Sequence, residues 1–101
     1  MTDNTGISMV RTYSAGVFYG RLDESTRSAD GKRGVVRDAR RVWYWAGAAS
    51  LSQLAQSGTS CPQDCRFPAA VSQVELTEII EVIPVTAAAL ATLDAVPVWA
   101  R

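Results

Sequence analysis

Arg37, Asp38, Ala39, Arg40, Arg41, Val42, Trp43, Tyr44 and Trp45 follow one another without interruption. Three arginines and three large aromatics therefore share one short run. Each guanidinium is a planar, permanently charged fork that grips phosphate or carboxylate through paired hydrogen bonds. Each aromatic adds a flat apolar face with a polar edge. Such a set can bind a phosphate and stack a base, at about 1–3 kcal/mol per stacked base. The same residue types also concentrate at the hot spots of subunit interfaces. Ser50 adds a further candidate. It follows Gly47 and opens a helix, whose exposed N–H groups can meet an anion. The lysine and second glycine of a nucleotide-hydrolase phosphate loop are missing.

Other chemistry is poorly provided for. The chain has no histidine, which removes the usual general base near neutral pH and the commonest metal ligand. Cys61 and Cys65 are the only thiols, too few for a standard four-ligand zinc site in one chain. Their three-residue spacing is not that of a thioredoxin-like motif. Glu75, Glu78 and Glu81 recur every third residue, with nothing marking a second carboxylate element to face them. The expectation is a non-catalytic protein without metal or cofactor. Seven residues are the candidate ligand-binding set: Arg37, Arg40, Arg41, Trp43, Tyr44, Trp45 and Ser50.

A chain of 101 residues with 48% hydrophobic composition predicts one folded domain spanning 1–101. Ten basic and ten acidic residues cancel, which argues against generic affinity for nucleic acid or membrane. No sequence-specific nucleic-acid binding is expected. The distribution is uneven. Residues 27–41 carry six basic side chains against two acidic ones, whereas residues 67–100 carry Glu75, Glu78, Glu81 and Asp94 with no cation. That polarity fits contacts between copies, or two faces paired within one copy. The opening Met-Thr-Asp-Asn-Thr-Gly lacks the basic start and apolar run of a signal peptide, so free thiols in a reducing compartment are expected. No apolar run approaches the ~20 residues of a spanning helix.

Elements must position these side chains. Residues 1–7 are polar and read as a flexible lead. Residues 9–22 read as two strands around Ser14-Ala15-Gly16. Residues 23–34 hold no apolar side chain larger than alanine and predict a loop, with a turn at Asp30-Gly31 and the greatest mobility in the chain. Residues 35–46 give the strongest strand signal. Alternation would put Arg37, Arg41, Trp43 and Trp45 on one face and Arg40, Val42 and Tyr44 on the other. The second half of that strand looks buried and the first half wet. Ser50 with Gln53 fits a capping box and Gly58 a terminator, predicting a two-turn helix between them. Residues 58–68 form a loop. Residues 69–85 predict two strands broken near Thr77-Glu78, with Pro84 at an edge. Thr86 caps a short helix running to about Asp94, and Pro97-Val98-Trp99 reads as a final edge strand. The sum is an α+β fold: a small antiparallel sheet of about five strands with two short helices. A thin core, an apolar C-terminal half and three tryptophans favour a homo-oligomer.

The run RDARRVWYWAGAASLSQLA (37–55) resembles a family of small uncharacterised proteins from tailed bacteriophages and prophages. Gly58-Thr59-Ser60, Arg66-Phe67-Pro68, Ile83-Pro84-Val85-Thr86 and Val96-Pro97-Val98-Trp99 continue the likeness, which covers roughly residues 35–100. The resemblance implies a viral protein made in the host bacterial cytoplasm and brings no catalytic residues. In that setting the arginine–aromatic strand suits a protein that binds and sequesters a small phosphorylated nucleotide signal of bacterial anti-phage defence. A virion structural or decoration protein, or an inhibitor binding a host protein, is the alternative.

Overall fold

The computed structural model describes residues 5–100. Five antiparallel strands form one sheet: β1 (Ser8–Thr12), β2 (Val17–Asp23), β3 (Gly34–Arg41), β4 (Val71–Leu76) and β5 (Ile79–Pro84), in the order β4-β3-β2-β1-β5. Two helices, α1 (Leu51–Ser57) and α2 (Ala87–Asp94), complete the α+β fold. β4 and β5 occupy opposite edges, yet only Thr77 and Glu78 join them. In a flat sheet those edges would lie about 19 Å apart, at ~4.8 Å per strand. A two-residue link spans roughly 10 Å. The sheet must therefore curl towards a partly open barrel.

Period-two alternation sends neighbouring residues to different sides of this curl. Val10, Phe18, Val36, Ala39, Leu76 and Ile79 form one buried cluster. Met9, Tyr19 and Val42 belong to a second, where they pack with Leu54, Phe67, Ala89 and Leu93 beneath the helices. Both helices start as the sequence dictates. Ser50 Oγ accepts the Gln53 N–H at 3.2 Å, and Gln53 Oε1 accepts the Ala49 N–H at 2.8 Å. Thr86 Oγ1 accepts the Ala89 N–H at 3.1 Å. Gly58 ends α1 with a φ of 79°.

β3 departs from regular alternation. Tyr19 pairs with Arg40 but Arg21 pairs with Arg37, so the register slips at a bulge. Asp38 adopts a φ of 51° there, and its carboxylate meets Arg21 Nη2 at 2.5 Å. Gly20 lies opposite, where a Cβ would stand 2.7 Å from the Arg37 carbonyl oxygen and 2.8 Å from Val36 Cγ1. The extra residue puts Ala39 in the same cluster as Val36 and sends Arg40 towards the helices. Alternation through a regular strand would have placed Val36 and Arg40 together.

β3 also ends at Arg41, not at residue 46. The Val42 N–H makes a last bond to the Val17 carbonyl at 2.8 Å, and the Trp43 and Tyr44 N–H groups turn to the Arg66 carbonyl at 3.2 Å each. Burial reverses the expectation: Val36, Ala39 and Arg40 are buried, whereas Trp43 and Tyr44 are 55% and 49% exposed. Residues 1–4 of the expected flexible lead lie outside the described residues. Thr5 and Ile7 are tied down, Thr5 Oγ1 to the Val85 carbonyl at 2.6 Å and the Ile7 carbonyl to the Val85 N–H at 2.9 Å. The loop after β2 begins with a 3-10 turn, Glu24–Thr26, and is stitched internally by Arg27 Nη2 to the Gly31 carbonyl at 2.6 Å and Ser28 Oγ to Asp30 at 2.6 Å. The final strand expected at 97–99 is a single parallel bridge, Phe67 to Val98.

Gly20→Ala is expected to destabilise the fold by about 1–3 kcal/mol, because the new methyl meets backbone that cannot move aside cheaply. Urea denaturation measures it, and an unchanged midpoint contradicts the close approach at the bulge.

Candidate functional site

The seven sequence candidates do not converge. Arg37 is committed to Asp23, with Nη2 3.1 Å from Oδ2, and to Gln73 through Nη1. The Ser25 hydroxyl first and Arg37 second hold the Asp23 carboxyl below its ordinary pKa. Arg41 gives Nη1 to the Ala15 carbonyl at 2.5 Å and stacks over Phe18 at 4.3 Å. It lines a cavity of about 280 Å³ with Ala39, Val71 and Val74. Trp45 packs against the helix-side core. Ser50 is consumed as the α1 cap; a helix of seven residues offers little further to an anion.

Arg40 is buried and spends every donor on the protein itself. Nε bonds the Pro68 carbonyl at 3.0 Å, Nη1 bonds Tyr19 Oη at 3.3 Å and the Leu93 carbonyl at 3.4 Å, and Nη2 bonds the carbonyls of Phe67 at 3.2 Å and Val96 at 2.9 Å. A guanidinium has five N–H donors, so none remains for a ligand. The physical reason is the bulge at Asp38, which turns Arg40 to the helix side. Tyr19 Oη passes the network on to Asp94 Oδ1 at 3.0 Å. Burial pushes the Tyr19 hydroxyl pKa up to about 12, against the opposing pull of Arg40.

Trp43 and Tyr44 do come together, with partners that local sequence patterning does not mark. Trp43 stacks on Trp99, with centroids 4.7 Å apart and planes inclined by 17°. Tyr44 forms an antiparallel bridge with Arg66, whose N–H meets the Tyr44 carbonyl at 2.8 Å. The Trp99 N–H bonds the Phe67 carbonyl at 2.9 Å. These backbone links set the Arg66 guanidinium 6.0 Å from the Tyr44 ring centre and 5.8 Å from that of Trp99. Val98, 60% exposed, lies between Pro97 and Trp99 and follows the turn at Ala95 and Val96. Among the described arginines, Arg66 is the one whose guanidinium makes no hydrogen bond or ion pair. Arg11, Arg21, Arg27, Arg33 and Arg37 face carboxylates, and Arg40 and Arg41 bond oxygens of the chain. The arrangement is a free cationic fork framed by aromatics on an exposed surface.

A domain of unknown function, DUF6948, matches residues 6–93. The chain belongs to the DUF6948 family. No curated protein and no solved structure matches it. Among the described residues of this DUF6948 chain no helix is long and apolar enough to cross a membrane. Among its described residues no cluster of cysteine, aspartate and glutamate is placed to hold a metal ion. Its aromatic surface straddles the family boundary, because Val98 and Trp99 follow residue 93.

The raised Tyr19 pKa has a consequence for stability. Folding favours the protonated hydroxyl, so the stabilisation is complete below pH 10 and is lost as pH rises from 10 towards about 12. The melting temperature should fall across that window, and Tyr19→Phe should flatten the fall. An equal alkaline loss in the variant contradicts the coupling.

Proposed function

We propose that this protein is a non-catalytic docking module whose working surface is Trp43, Tyr44, Arg66, Val98 and Trp99. The observation that carries the reading is the unpaired Arg66 fork held between Tyr44 and Trp99, beside the exposed Trp43 face. Tryptophan, tyrosine and arginine are the residues that dominate protein interfaces. The surface is open, whereas small-molecule sites are concave. Cavities of about 240–420 Å³ elsewhere among the described residues are lined by other side chains. The fitting partner is a protein that offers a carboxylate to Arg66 beside an apolar side chain for Trp43 and Val98. In the phage setting implied by the sequence resemblance, such a module is an inhibitor of a host protein in the bacterial cytoplasm, or a decoration part of the virion.

One observation favours a second reading. The same free fork and an adjacent aromatic face are the pair needed to hold a phosphorylated nucleotide, in which case the protein sequesters that ligand unchanged. Here the phosphate would lie on Arg66, not on Arg37, Arg40 or Arg41.

Affinity purification from phage-infected host cells tests both. Trp43→Ala or Arg66→Ala should weaken capture of the specific partner by roughly tenfold or more, while Arg33→Ala leaves it intact. Calorimetry against a nucleotide panel separates the readings, since only the second gives heat with nucleotide that Arg66→Ala removes. Partner capture and nucleotide binding both indifferent to Trp43 and Arg66 would overturn the assignment of this surface.

A further inference from the structure

Where β2 and β4 begin and β3 ends, the chain surrounds a cavity of about 280 Å³. Phe18 and Ala39, both buried, are among its walls, with Val74 half-buried and Val71 exposed. Arg41 is the only polar side chain that lines it. An apolar hollow with one well-placed polar group has the form of a small-molecule site. The Arg41 guanidinium is held in place there. Nη1 bonds the Ala15 carbonyl, and Cζ stands 4.3 Å from the Phe18 ring centre. Gly16 leaves room for it: a Cβ at that position would come within 3.1 Å of Nη1, at a φ of 94° that disfavours any side chain. Nε and Nη2, the edge that grips a carboxylate with two parallel bonds, bond nothing among the described residues. No described carboxylate pairs with Arg41, whereas Arg11, Arg21, Arg27, Arg33 and Arg37 each face one. A fixed cation with its charge unmatched therefore borders an apolar hollow.

We propose that this cavity binds a small apolar monocarboxylate, with its tail against Phe18, Ala39 and Val74 and its carboxylate on Nε and Nη2 of Arg41. The charges match one to one. A phosphate monoester carries close to two charges and would leave one unpaired beside apolar walls, which is costly. Volume limits the tail. A water in the liquid takes about 30 Å³, so the hollow accommodates roughly nine non-hydrogen atoms. Octanoate is of that size. The tail supplies affinity by leaving water, and the fork selects for the acid by paired, charge-assisted hydrogen bonds. This site shares no side chain with the surface of Trp43, Tyr44, Arg66, Val98 and Trp99.

Titration of the full chain with octanoate, followed by protein NMR, tests this. Octanol is the uncharged control and acetate the tailless one. Octanoate should shift the Val71 and Val74 methyl signals and leave the Trp43 and Trp99 indole signals in place. Octanol and acetate should each bind at least about tenfold more weakly. Arg41→Gln should weaken octanoate by roughly tenfold or more and leave octanol unchanged. The octanol arm thus separates loss of the fork from damage to the hollow. Val71 is exposed, so Val71→Phe tests the site even where Arg41→Gln disturbs the Phe18 stacking. It should fill the hollow and block octanoate with Arg41 intact. No binding at millimolar octanoate, octanol bound as tightly as octanoate, octanoate indifferent to Arg41→Gln or to Val71→Phe, or shifts confined to the indoles would overturn the proposal. None of these variants alters Trp43 or Arg66, so this result and the aromatic-surface result are separable.

Discussion

The buried guanidinium of Arg40 is the constraint on which the rest of the molecule depends. A buried charge is costly unless its hydrogen bonds are met. Here four carbonyl oxygens and one hydroxyl meet all five donors, with no carboxylate among the described residues in direct contact. Leu93 lies at the carbonyl end of α2, where the helix dipole favours a cation. Through these bonds one side chain of β3 fastens the irregular segment before β4 and the C-terminal end of α2 with the chain that follows it. Phe67 and Pro68 are held on one side, and Leu93 and Val96 on the other.

The aromatic surface follows from that clamp. Phe67 is fully buried beneath the Arg40 guanidinium, 5.3 Å from it. With Phe67 turned inward, its exposed neighbour Arg66 turns out to solvent. The hold on Val96 sets the chain direction into Val98 and Trp99, which the Phe67–Val98 bridge completes. Arg40 and Arg66 thus divide two roles. One spends its charge on positioning, and the other keeps its charge available. Composition cannot separate them, because both are arginines beside an aromatic residue or within three positions of one.

Local signals were legible wherever the physics is local. The Ser50 and Thr86 caps, the Gly58 terminator, the turn at residues 14–16 and the break at Thr77-Glu78 all lie where short-range chemistry puts them. The fold class followed from these. Face assignment along β3 did not, because one residue in a left-handed conformation at Asp38 resets the alternation and an aspartate gives little notice of it. The Trp43–Trp45 run reads as strand from side-chain propensity. Its partner is a lone bridge to Arg66 across a loop, and only tertiary structure shows that. For the same reason Arg66 and Trp99 carried no signal as site residues: nothing in their own segments points to Tyr44 or Trp43.

The central claim is that two arginines near in space have opposite roles, and equilibrium denaturation of Arg40→Met and Arg66→Met tests it most directly. Hydrogen bonds to charged groups contribute about 1.5–3 kcal/mol each, and a domain of this size has only about 5–15 kcal/mol in total. Arg40→Met should therefore lose at least ~3 kcal/mol or fail to fold. Arg66→Met loses exposed cation–π contacts alone and should stay within about 1 kcal/mol of the wild type. An Arg40→Met protein as stable as the wild type, or an Arg66→Met protein equally destabilised, would contradict the account.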